Sequence, residues 1–491
     1  MKFIRWFLAA FVLAAFPLCA SAADFDGYLV LIDADAPVRL LSASDEDFPV
    51  MEEVYAPAGV YKVEDAAALD ALRDRGVLID AEPNYIVTLD DMPSPSDGEV
   101  SLLDASEEQW YASVLELDWT REQGFTGNGV RVGIVDSGIF REHEDFQGAN
   151  ILDGANYCVS ANNPARKDVS DTYGHGTFVS GLIAAAENGV GIAGIAPDVE
   201  LVPLKCFEGK NSAVANIAAA IYDAVDTWHC QVLNLSLGVE NESEILKRAV
   251  EYADKAGVLM VAAAGNSHSS GDPLNYPAAY PQVVGVGAVD STLSVSSFSC
   301  RNKSVEIAAP GRNLRAPSLT NAASYVTGYG TSYASPMVAA AAALTLAARP
   351  ELTAAEVRDL LANTARDAGK TGYDISYGYG ILHAGRLLAA AMGNLFHQAE
   401  VVREQVADAD GSTPGLFAAA YDADGRFLAL RDISPLVSAE REPDATPILR
   451  SADADAPTEE TFRVPGAASW KLFPFDRFTF APAGLCAKLY G

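Results

Sequence analysis

A serine at the start of a helix is well placed to act as a nucleophile. Ser332 lies in Gly330-Thr331-Ser332, and a helix-like run of small and apolar residues follows it as far as Leu344. The first turn of a helix leaves backbone N–H groups unpaired and carries the positive end of the helix dipole. That environment favours a hydroxyl that attacks a carbonyl and leaves an oxyanion behind. Ser332 alone could equally be a helix N-cap. A catalytic role is favoured only if a base, an orienting acid and an oxyanion donor occur elsewhere in the chain.

Three further polar side chains lie where they could complete that set. Asp136 directly follows an apolar strand-like run, where a buried carboxylate is costly unless it is paired. His175 lies between two glycines at the start of an apolar helix-like run. Asn266 follows another strand-like run and could present an amide N–H to an oxyanion. Singly, they could be a turn cap, a structural histidine and a Gly-Asn turn residue, but together they favour catalysis.

The region that must position these residues alternates between strand-like and helix-like runs. The strand-like runs are Val130–Val135, Val199–Leu204, Val232–Leu237, Val258–Ala263, Val283–Val286 and Val305–Ala308. They are almost continuously apolar, which is typical of parallel strands buried on both faces. Between them, apolar residues recur at helical spacing, for example at Ile217, Ile221 and Val225. The pattern predicts an α/β domain with a parallel sheet, whose site lies at the carboxyl ends of the strands.

The four segments resemble those of the subtilisin-like serine proteases. Aspartate, histidine, asparagine and serine follow one another at positions 136, 175, 266 and 332, and subtilisin has Asp, then His, then Ser along its chain. The resemblance covers about residues 107–392. It implies that Ser332 attacks the scissile carbonyl and that His175 accepts and returns the proton. Asp136 would orient His175, and Asn266 and the Ser332 N–H would form the oxyanion hole.

The same resemblance assigns a set of substrate-binding residues. They are Ser236, Leu237, Gly238, Ala263, Ala264, Gly265 and Asn275. The first three would pair with the substrate backbone as an added strand, and the next three would form one wall of the pocket for the residue before the scissile bond. Asn275 matches a position at the base of that pocket where relatives often have glycine. The asparagine therefore predicts a pocket that is narrower or more polar than is usual in the family.

A calcium site is also implied by the resemblance, although the chemistry itself needs no cofactor. Its ligands would be the side chains of Asp145 and Asn188 and the carbonyl groups of Ala186, Val190 and Ile192. Oxygen ligands of this kind suit calcium. The same positions could equally be ordinary loop residues.

The first 104 residues are predicted to be absent from the working enzyme. Residues 1–22 have the basic start, the apolar run and the small-residue cleavage site of an export signal. Residues 23–104 resemble the inhibitory propeptides of the same family, through Ala81-Glu82-Pro83-Asn84-Tyr85, and end in a polar linker. The resemblance implies a zymogen that is inhibited by its own propeptide, and the export signal predicts secretion. The exposed linker just before the catalytic region suggests that the enzyme cleaves itself within about residues 90–107.

Each flank of the peptidase-like domain, predicted at residues 105–395, has a pattern of its own. Before it, the pattern predicts strands at Tyr28–Ile32, Val77–Ile79 and Tyr85–Val87 and a helix at Val63–Arg75. After it, residues 396–491 contain strand-like runs at Leu416–Tyr421, Arg426–Leu430, Trp470–Phe473 and Phe478–Phe480. The predicted fold is thus an α/β parallel-sheet catalytic domain between a small α+β prodomain and a small C-terminal β-rich accessory domain.

Composition narrows the partners of this chain. A formal net charge of −32 argues against nucleic acid and anionic membrane surfaces, and no segment after the signal has the character of a stable membrane span. Polypeptide substrates are the expected partners. Loss of Cys19 with the signal leaves an odd number of cysteines, of which Cys206 and Cys230 are expected to be buried thiols. One disulfide remains possible among the cysteines.

Three alternatives to a degradative protease differ in how well the sequence supports them. A catalytically idle copy of the fold could serve binding or adhesion, but no triad or oxyanion residue is missing. A processing protease with one narrow target remains open, because Asn275 and the acidic composition are compatible with it. An esterase or lipase is poorly supported, since no Gly-x-Ser-x-Gly motif surrounds Ser332.

Overall fold

The computed structural model describes residues 25–32, 49–89, 109–159, 163–393, 415–421, 427–432, 469–475 and 487–490. The predicted export signal, the predicted linker from residue 90 to 104 and the strand predicted at Phe478–Phe480 lie outside these residues. The described residues fall into three parts: an N-terminal unit before residue 90, a large domain from 109 to 393, and a C-terminal sheet after residue 414.

The N-terminal unit is an antiparallel sheet covered by one helix. Its elements are β1 (Phe25–Ile32), β2 (Glu52–Tyr55), β3 (Val60–Val63), α1 (Ala66–Asp74) and β4 (Leu78–Thr88). The strands lie in the order β2-β3-β1-β4. Helix α1 begins where the Asp65 side chain accepts a hydrogen bond from the Ala68 N–H, which is an ordinary N-cap. Leu69 and Leu72 of this helix pack on Val30 and Ile32 of β1, so the unit has a small core of its own.

Strand β4 corrects one detail of the prediction. The sequence predicts two short strands at Val77–Ile79 and Tyr85–Val87, whereas one strand runs through both. The polar residues between them stay in the ladder, because Glu82 lies opposite Leu29 of β1 in a regular antiparallel register. Pairing with a central strand therefore overrides the turn-like composition of this stretch.

The large domain contains most of the remaining strands and helices. Its strands are β5 (Arg131–Asp136), β6 (Ala155–Asn156), β7 (Glu200–Lys205), β8 (Asn211–Ala213), β9 (Val232–Leu235), β10 (Leu259–Ala263), β11 (Val283–Val289), β12 (Ile307–Pro310), β13 (Arg312–Pro317) and β14 (Tyr325–Tyr329). Its helices are α2 (Tyr111–Leu115), α3 (Leu117–Glu122), α4 (His175–Ala184), α5 (Val214–Asp226), α6 (Glu244–Lys255), α7 (Thr331–Ala348), α8 (Ala354–Thr364) and α9 (Ala384–Ala391).

A parallel sheet in the order β12-β11-β10-β9-β5-β7-β6 forms the centre of this domain. Every pairing in it is parallel. The six strand-like runs of the sequence correspond to β5, β7, β9, β10, β11 and β12, so the α/β prediction is confirmed. The strand order changes direction beside β5, and the carboxyl ends of β5 and its neighbours are where such sheets hold their sites.

Helices cover both faces of the sheet and bury two large apolar clusters. On one face, Leu182 of α4 and Met337 of α7 belong to the first cluster. On the other, Ile221 of α5 and Leu246 of α6 belong to the second. Each of these side chains is fully buried, and burying one contributes roughly 1.5–3 kcal/mol. The strands that carry the functional residues are thus held rigidly from both sides.

Helix α7 is apolar enough to meet the length and hydropathy criteria for a membrane span. It is the only helix of the described residues that does so, and 89% of it is buried inside the domain. A core helix of a soluble domain meets the same criteria, so α7 is not a stable membrane span.

The C-terminal sheet is antiparallel. Its strands are β15 (Gly415–Tyr421), β16 (Phe427–Asp432), β17 (Ser469–Phe475) and β18 (Ala487–Tyr490), in the order β16-β15-β17-β18. The hairpin predicted from the sequence corresponds to β15 and β16, and Trp470 of β17 is buried. Strand β18 lies against α8 and α9 of the large domain.

Candidate active site

Asp136 and His175 form a buried acid–imidazole pair at the carboxyl end of β5. The His175 Nδ1 atom lies 2.8 Å from Asp136 Oδ1 and 2.9 Å from Oδ2, and each side chain is 1% exposed. The Ser137 N–H also donates to Asp136 Oδ1, at 2.7 Å. Since a carboxylate only accepts hydrogen bonds, Nδ1 must carry a proton, which leaves Nε2 of the neutral ring as a base.

The start of helix α4 holds His175 against the end of β5. The Asp171 side chain accepts from the Gly174 N–H and from the N–H and hydroxyl of Thr177, which caps the helix. Gly176 then touches the loop after β5, where an added Cβ would lie 2.2 Å from the Gly138 carbonyl oxygen. Only glycine permits this approach, so the sequence Gly-His-Gly serves the placement of the imidazole.

Ser332 is the second residue of α7 and is 6% exposed. The Ser236 hydroxyl donates to the Ser332 carbonyl at 2.6 Å, which ties the helix start to the segment after β9. The ring of Tyr333, the next residue, lies 5.5 Å from the His175 ring. The structure therefore brings Asp136, His175 and Ser332 to one edge of the sheet.

Asn266 is oriented by the same helix start. Its Oδ1 accepts from the Thr331 N–H at 2.9 Å and from the Thr331 hydroxyl at 3.0 Å. These bonds turn the amide nitrogen the other way. A Cβ added to Gly330 would lie 3.4 Å from Asn266 Nδ2 and 3.9 Å from Ser332 Cβ. The amide nitrogen of Asn266 and the Ser332 side chain therefore both lie close to Gly330.

The sequence alone did not identify Asp171 and Thr331 as residues that position the site. Neither has a chemical role of its own. Asp171 accepts hydrogen bonds at the start of α4, which carries His175, and Thr331 donates hydrogen bonds to Asn266. A signal for Asp171 exists, because an aspartate shortly before a helix is a common N-cap. Thr331 gives no signal beyond its place beside Ser332, since its partner Asn266 is distant in sequence.

The predicted substrate-binding residues lie on two segments that continue neighbouring strands. Ser236, Leu237 and Gly238 follow β9, whereas Ala263, Ala264 and Gly265 end and follow β10, which pairs with β9 in parallel. Asn275 reaches both segments, and its Nδ2 donates to the Ala264 carbonyl at 3.2 Å. All seven residues thus lie together beside Asn266.

The predicted calcium residues are also brought together, with Asp145 at their centre. Its side chain is fully buried, and burial raises its pKa to about 6, although hydrogen bonds from Tyr325 and Ile192 oppose this shift. The Ala186 N–H donates to the Asp145 carbonyl, and the Ile192 N–H lies 3.4 Å from Asp145 Oδ2. The Asn188 Oδ1 accepts from the Val190 N–H.

The loop at residues 186–192 packs closely against the Asp145 carboxylate. Gly191 lies so close to the carboxylate that an added Cβ would be 1.9 Å from Asp145 Oδ1. A cavity of about 280 Å³ beside the loop contains the buried Tyr111 hydroxyl, which has no hydrogen-bond partner. The amide of Gln109, which lines the same cavity, bonds both the N–H and the carbonyl of Arg315. Among the residues that the structure describes, no three His, Cys, Asp or Glu side chains cluster as a metal site.

Strand β4 of the N-terminal unit pairs with β8 of the large domain. The register places Ile86 opposite Ala213 and Thr88 opposite Asn211, in antiparallel pairing. The chain therefore runs along the large domain as far as Leu89, whose N–H donates to the Lys210 carbonyl. Leu89 is the last described residue before residue 109.

Two polar side chains of β4 cap helices of the large domain. Glu82 accepts hydrogen bonds from the Ser243 hydroxyl and from the Glu244 and Ile245 N–H groups, at the start of α6. Burial raises the pKa of Glu82, and these three bonds oppose the shift. Asn84 accepts from the Ala215 N–H at 2.9 Å, at the start of α5, which has no side-chain cap of its own. Such caps stabilise helix ends by about 1 kcal/mol each.

Aromatic contacts extend this interface beyond the caps. The rings of Tyr55 in β2 and Tyr222 in α5 are stacked, with centroids 4.3 Å apart. Tyr252 of α6 lies 5.2 Å from Tyr222 and completes the group. The N-terminal unit therefore covers α5 and α6 with both apolar and polar contacts.

Comparison with known proteins agrees with the fold. The model of the subtilase family matches residues 127–380, which is more than half of the chain. The chain is 39% identical over 279 residues to subtilisin DY of Bacillus licheniformis, covering 55% of this chain and 94% of that protein. It is 38% identical over 278 residues to subtilisin E of Bacillus subtilis strain 168, covering 55% and 68%. It is 35% identical over 275 residues to minor extracellular protease Epr of the same strain, covering 56% and 41%.

Proposed function

The chain belongs to the subtilase family and is a serine endopeptidase, and from this premise we propose that Ser332, His175 and Asp136 carry out the hydrolysis of peptide bonds. One observation carries the proposal: the buried Asp136 carboxylate contacts His175 Nδ1 at the end of β5, while Ser332 begins the helix beside them. Asn266, with its amide nitrogen beside Ser332, supplies the oxyanion donor that such a triad requires.

The reaction proceeds through two half-reactions. The Ser332 hydroxyl attacks the scissile carbonyl while His175 Nε2 takes its proton, and the oxyanion accepts hydrogen bonds from Asn266 and the Ser332 N–H. The imidazolium then gives that proton to the leaving amine, and an acyl-enzyme remains. Water attacks the acyl carbon and gives a proton to His175. The bond between the acyl carbon and the Ser332 oxygen then breaks, the imidazolium returns that proton to the Ser332 oxygen, and the acid product leaves. Throughout, Asp136 fixes the imidazole tautomer and stabilises its cationic form without taking the proton.

Labelling with a fluorophosphonate serine probe tests the proposal directly. The purified mature protein should be labelled at one site, which peptide mass spectrometry should locate at Ser332. A Ser332→Ala variant should show no label and no peptidase activity. Absence of labelling in the wild-type protein, after removal of the propeptide and supply of calcium, would instead support the idle binding or adhesion alternative.

Replacement of Asn266 by alanine is expected to lower kcat by roughly 10²–10³, with little change in KM. The magnitude is the one known for the oxyanion asparagine of subtilisin itself, and it applies because Asn266 is held in place by Thr331. Steady-state kinetics on a peptide nitroanilide would measure it. Asn302→Ala is a suitable control, since its amide bonds Asp272 and Pro273 instead. A near-wild-type kcat for Asn266→Ala would remove Asn266 from the mechanism.

We further propose that residues 23–104 form an inhibitory propeptide and that the enzyme is secreted as a zymogen. The caps that Glu82 and Asn84 place on α6 and α5 support this, because they are made only while the N-terminal unit is bound. Secretion is supported by the export-signal pattern and by the extracellular protease among the relatives. N-terminal sequencing should place the start of the active enzyme within about residues 90–107; an active enzyme that starts at Ala23 would rule out self-processing.

Glu82→Ala is expected to weaken inhibition by the propeptide about 5- to 30-fold. The change leaves the start of α6 without three hydrogen bonds to a carboxylate, and loss of a helix cap costs roughly 1–2 kcal/mol. The inhibition constant of the separately produced propeptide against the mature enzyme measures this effect. Glu64→Ala, at an exposed position of the same unit, should leave the constant unchanged. Equal constants for both variants would contradict the capping role.

A structural calcium ion, held by Asp145, Asn188 and the carbonyl groups of the loop at 186–192, completes the proposal. Calcium needs the ionised carboxylate, and the Asp145 pKa near 6 lies above its ordinary value of 3.8. The metal-free fold therefore gains stability from this group as pH falls from 6 towards 4, whereas stabilisation by calcium is largest above pH 6 and is lost below it.

Thermal unfolding of a Ser332→Ala protein, which cannot digest itself, tests the calcium proposal. Calcium should raise Tm by several degrees at pH 7.5, because a ligand that binds only the folded state stabilises it. At pH 5 the increase in Tm should be very small, because the Asp145 carboxyl is then mostly protonated. Asp145→Asn should abolish the increase, while Asp198→Asn, at an exposed position, should preserve it. An increase of equal size at both pH values, or in Asp145→Asn, would argue against this site.

A further inference from the structure

We propose that Asn275 closes the pocket for the residue before the scissile bond, so that the enzyme selects substrates with a small residue there. The inference rests on the proposed function, because it concerns the substrate of the same site. It turns the expectation of a narrower or more polar pocket into a definite substrate class.

The pocket lies between two segments that each present a glycine. Gly238 ends the segment after β9, and Gly265 follows β10, its parallel neighbour in the sheet. Glycine lacks a side chain, so a gap between two such residues would ordinarily admit a large substrate side chain. The ring of an aromatic substrate residue would occupy the full length of this gap.

Asn275 fills that gap and touches both glycines. A Cβ added to Gly238 would lie 3.1 Å from Asn275 Cβ and 3.3 Å from its Oδ1. A Cβ added to Gly265 would lie 2.2 Å from Asn275 Nδ2 and 2.9 Å from its Cγ. Contacts this close on both sides leave no room for a second large side chain between the two segments.

Hydrogen bonds fix the asparagine in this position. Both N–H groups of its amide are used, one by the Ala264 carbonyl at 3.2 Å and one by the Pro273 carbonyl at 3.3 Å. Its neighbour Tyr276 exchanges two backbone hydrogen bonds with Val239, directly after Gly238. A large substrate side chain could enter only by breaking the amide bonds and displacing Asn275, which leaves buried polar groups unpaired.

The chemistry that remains favours small side chains. Glycine, alanine and serine need little volume, and the Asn275 Oδ1, which faces Gly238, can accept a hydrogen bond from a serine hydroxyl. A carboxylate would face this acceptor oxygen in a chain with a net charge of −32 and is disfavoured. Leucine and phenylalanine are excluded by volume. The Cys300 sulfur lies 3.2 Å from the Cβ position of Gly265 and would border the space left by removal of the asparagine.

The test uses the mature enzyme and tetrapeptide nitroanilides that differ only in the residue before the scissile bond. Wild-type enzyme should cleave the alanine and serine substrates with a kcat/KM at least about tenfold above that for phenylalanine, because pocket fit discriminates on this scale. Asn275→Gly should raise kcat/KM for phenylalanine by at least about tenfold and leave alanine within about threefold. Asn275→Ala, which shortens the side chain without freeing the backbone, should give a smaller gain in the same direction.

Asn302→Ala serves as the matched control, because its amide shares the Pro273 carbonyl with Asn275 but also bonds Asp272. It should leave the preference unchanged. Equal kcat/KM for alanine and phenylalanine in the wild-type enzyme would overturn the inference while leaving the protease function intact. So would an unchanged preference in both active Asn275 variants. If no substrate is cleaved and Ser332 is not labelled by the fluorophosphonate, the proposed function fails and takes this inference with it.

Discussion

His175→Ala is expected to lower kcat by about six orders of magnitude while the fold and KM change little. In subtilisin, removal of the histidine costs about as much as removal of the whole triad, because a serine hydroxyl without its base is a poor nucleophile. The His175 imidazole contacts the Asp136 carboxylate, and its ring lies 5.5 Å from the ring of Tyr333 at the start of α7. The label from a fluorophosphonate should be lost together with peptidase activity.

The measurement needs a propeptide-free sample, since this variant cannot process itself. A second protease can remove the propeptide, and wild-type enzyme taken through the same treatment provides the reference rate. His229→Ala, at an exposed histidine whose imidazole bonds the Val225 carbonyl near the end of α5, should retain kcat within about threefold. A loss of less than about a hundredfold in His175→Ala would mean that another group supplies the base, because general base catalysis contributes at least that much.

The sequence predicted the central sheet well because parallel strands buried on both faces leave a plain signal. The apolar runs that became β5, β9 and β10 match the observed strands to within two residues. The functional residues follow those strands or begin a helix, so their contexts could be found without the fold. Asp136 and Asn266 are examples, since Asp136 is the last residue of β5 and Asn266 comes three residues after the end of β10.

What the sequence did not predict depends on which distant groups meet. Thr331 orients Asn266 through hydrogen bonds across 65 residues of sequence, and no local pattern announces that contact. Asp171 is a similar case, because the hydrogen bonds that it accepts from Gly174 and Thr177 matter only through the histidine that they position. The role of Glu82 is similar, since its partners at α6 belong to another part of the fold. The residues in the Thr331 and Glu82 contacts are far apart along the chain and close only in the folded structure.

Asn275 shows how much the structure adds to a prediction from sequence. Its position predicts a change in the pocket, but a polar side chain at the base of a pocket could point towards solvent or towards the substrate. The contacts with Gly238 and Gly265 decide between these possibilities, because the amide is bound to a carbonyl of one wall and packed on the other. The proposed specificity therefore rests on a hydrogen-bonding pattern that the sequence does not reveal.

Asp136→Asn is expected to lower kcat by about four orders of magnitude, which is less than the loss in His175→Ala. The value is that of the equivalent change in a trypsin-like triad, where the geometry is kept and the tautomer is wrong. An amide at this position can donate to Nδ1, and the imidazole then carries its proton on Nε2, where it cannot accept one from Ser332. Both side chains are 1% exposed, so water cannot easily restore the correct tautomer.

A double variant that combines Asp136→Asn with His175→Ala shows whether Asp136 acts only by orienting His175 or also independently of it. If Asp136 acts only through His175, the double variant should be no slower than His175→Ala alone, because groups that work as a unit are strongly non-additive. Steady-state kcat for the two single variants and the double variant, each freed of propeptide in the same way, completes the cycle. A further loss of about 10⁴ in the double variant, as additivity would require, would show that Asp136 contributes to the reaction by a route that does not pass through the imidazole.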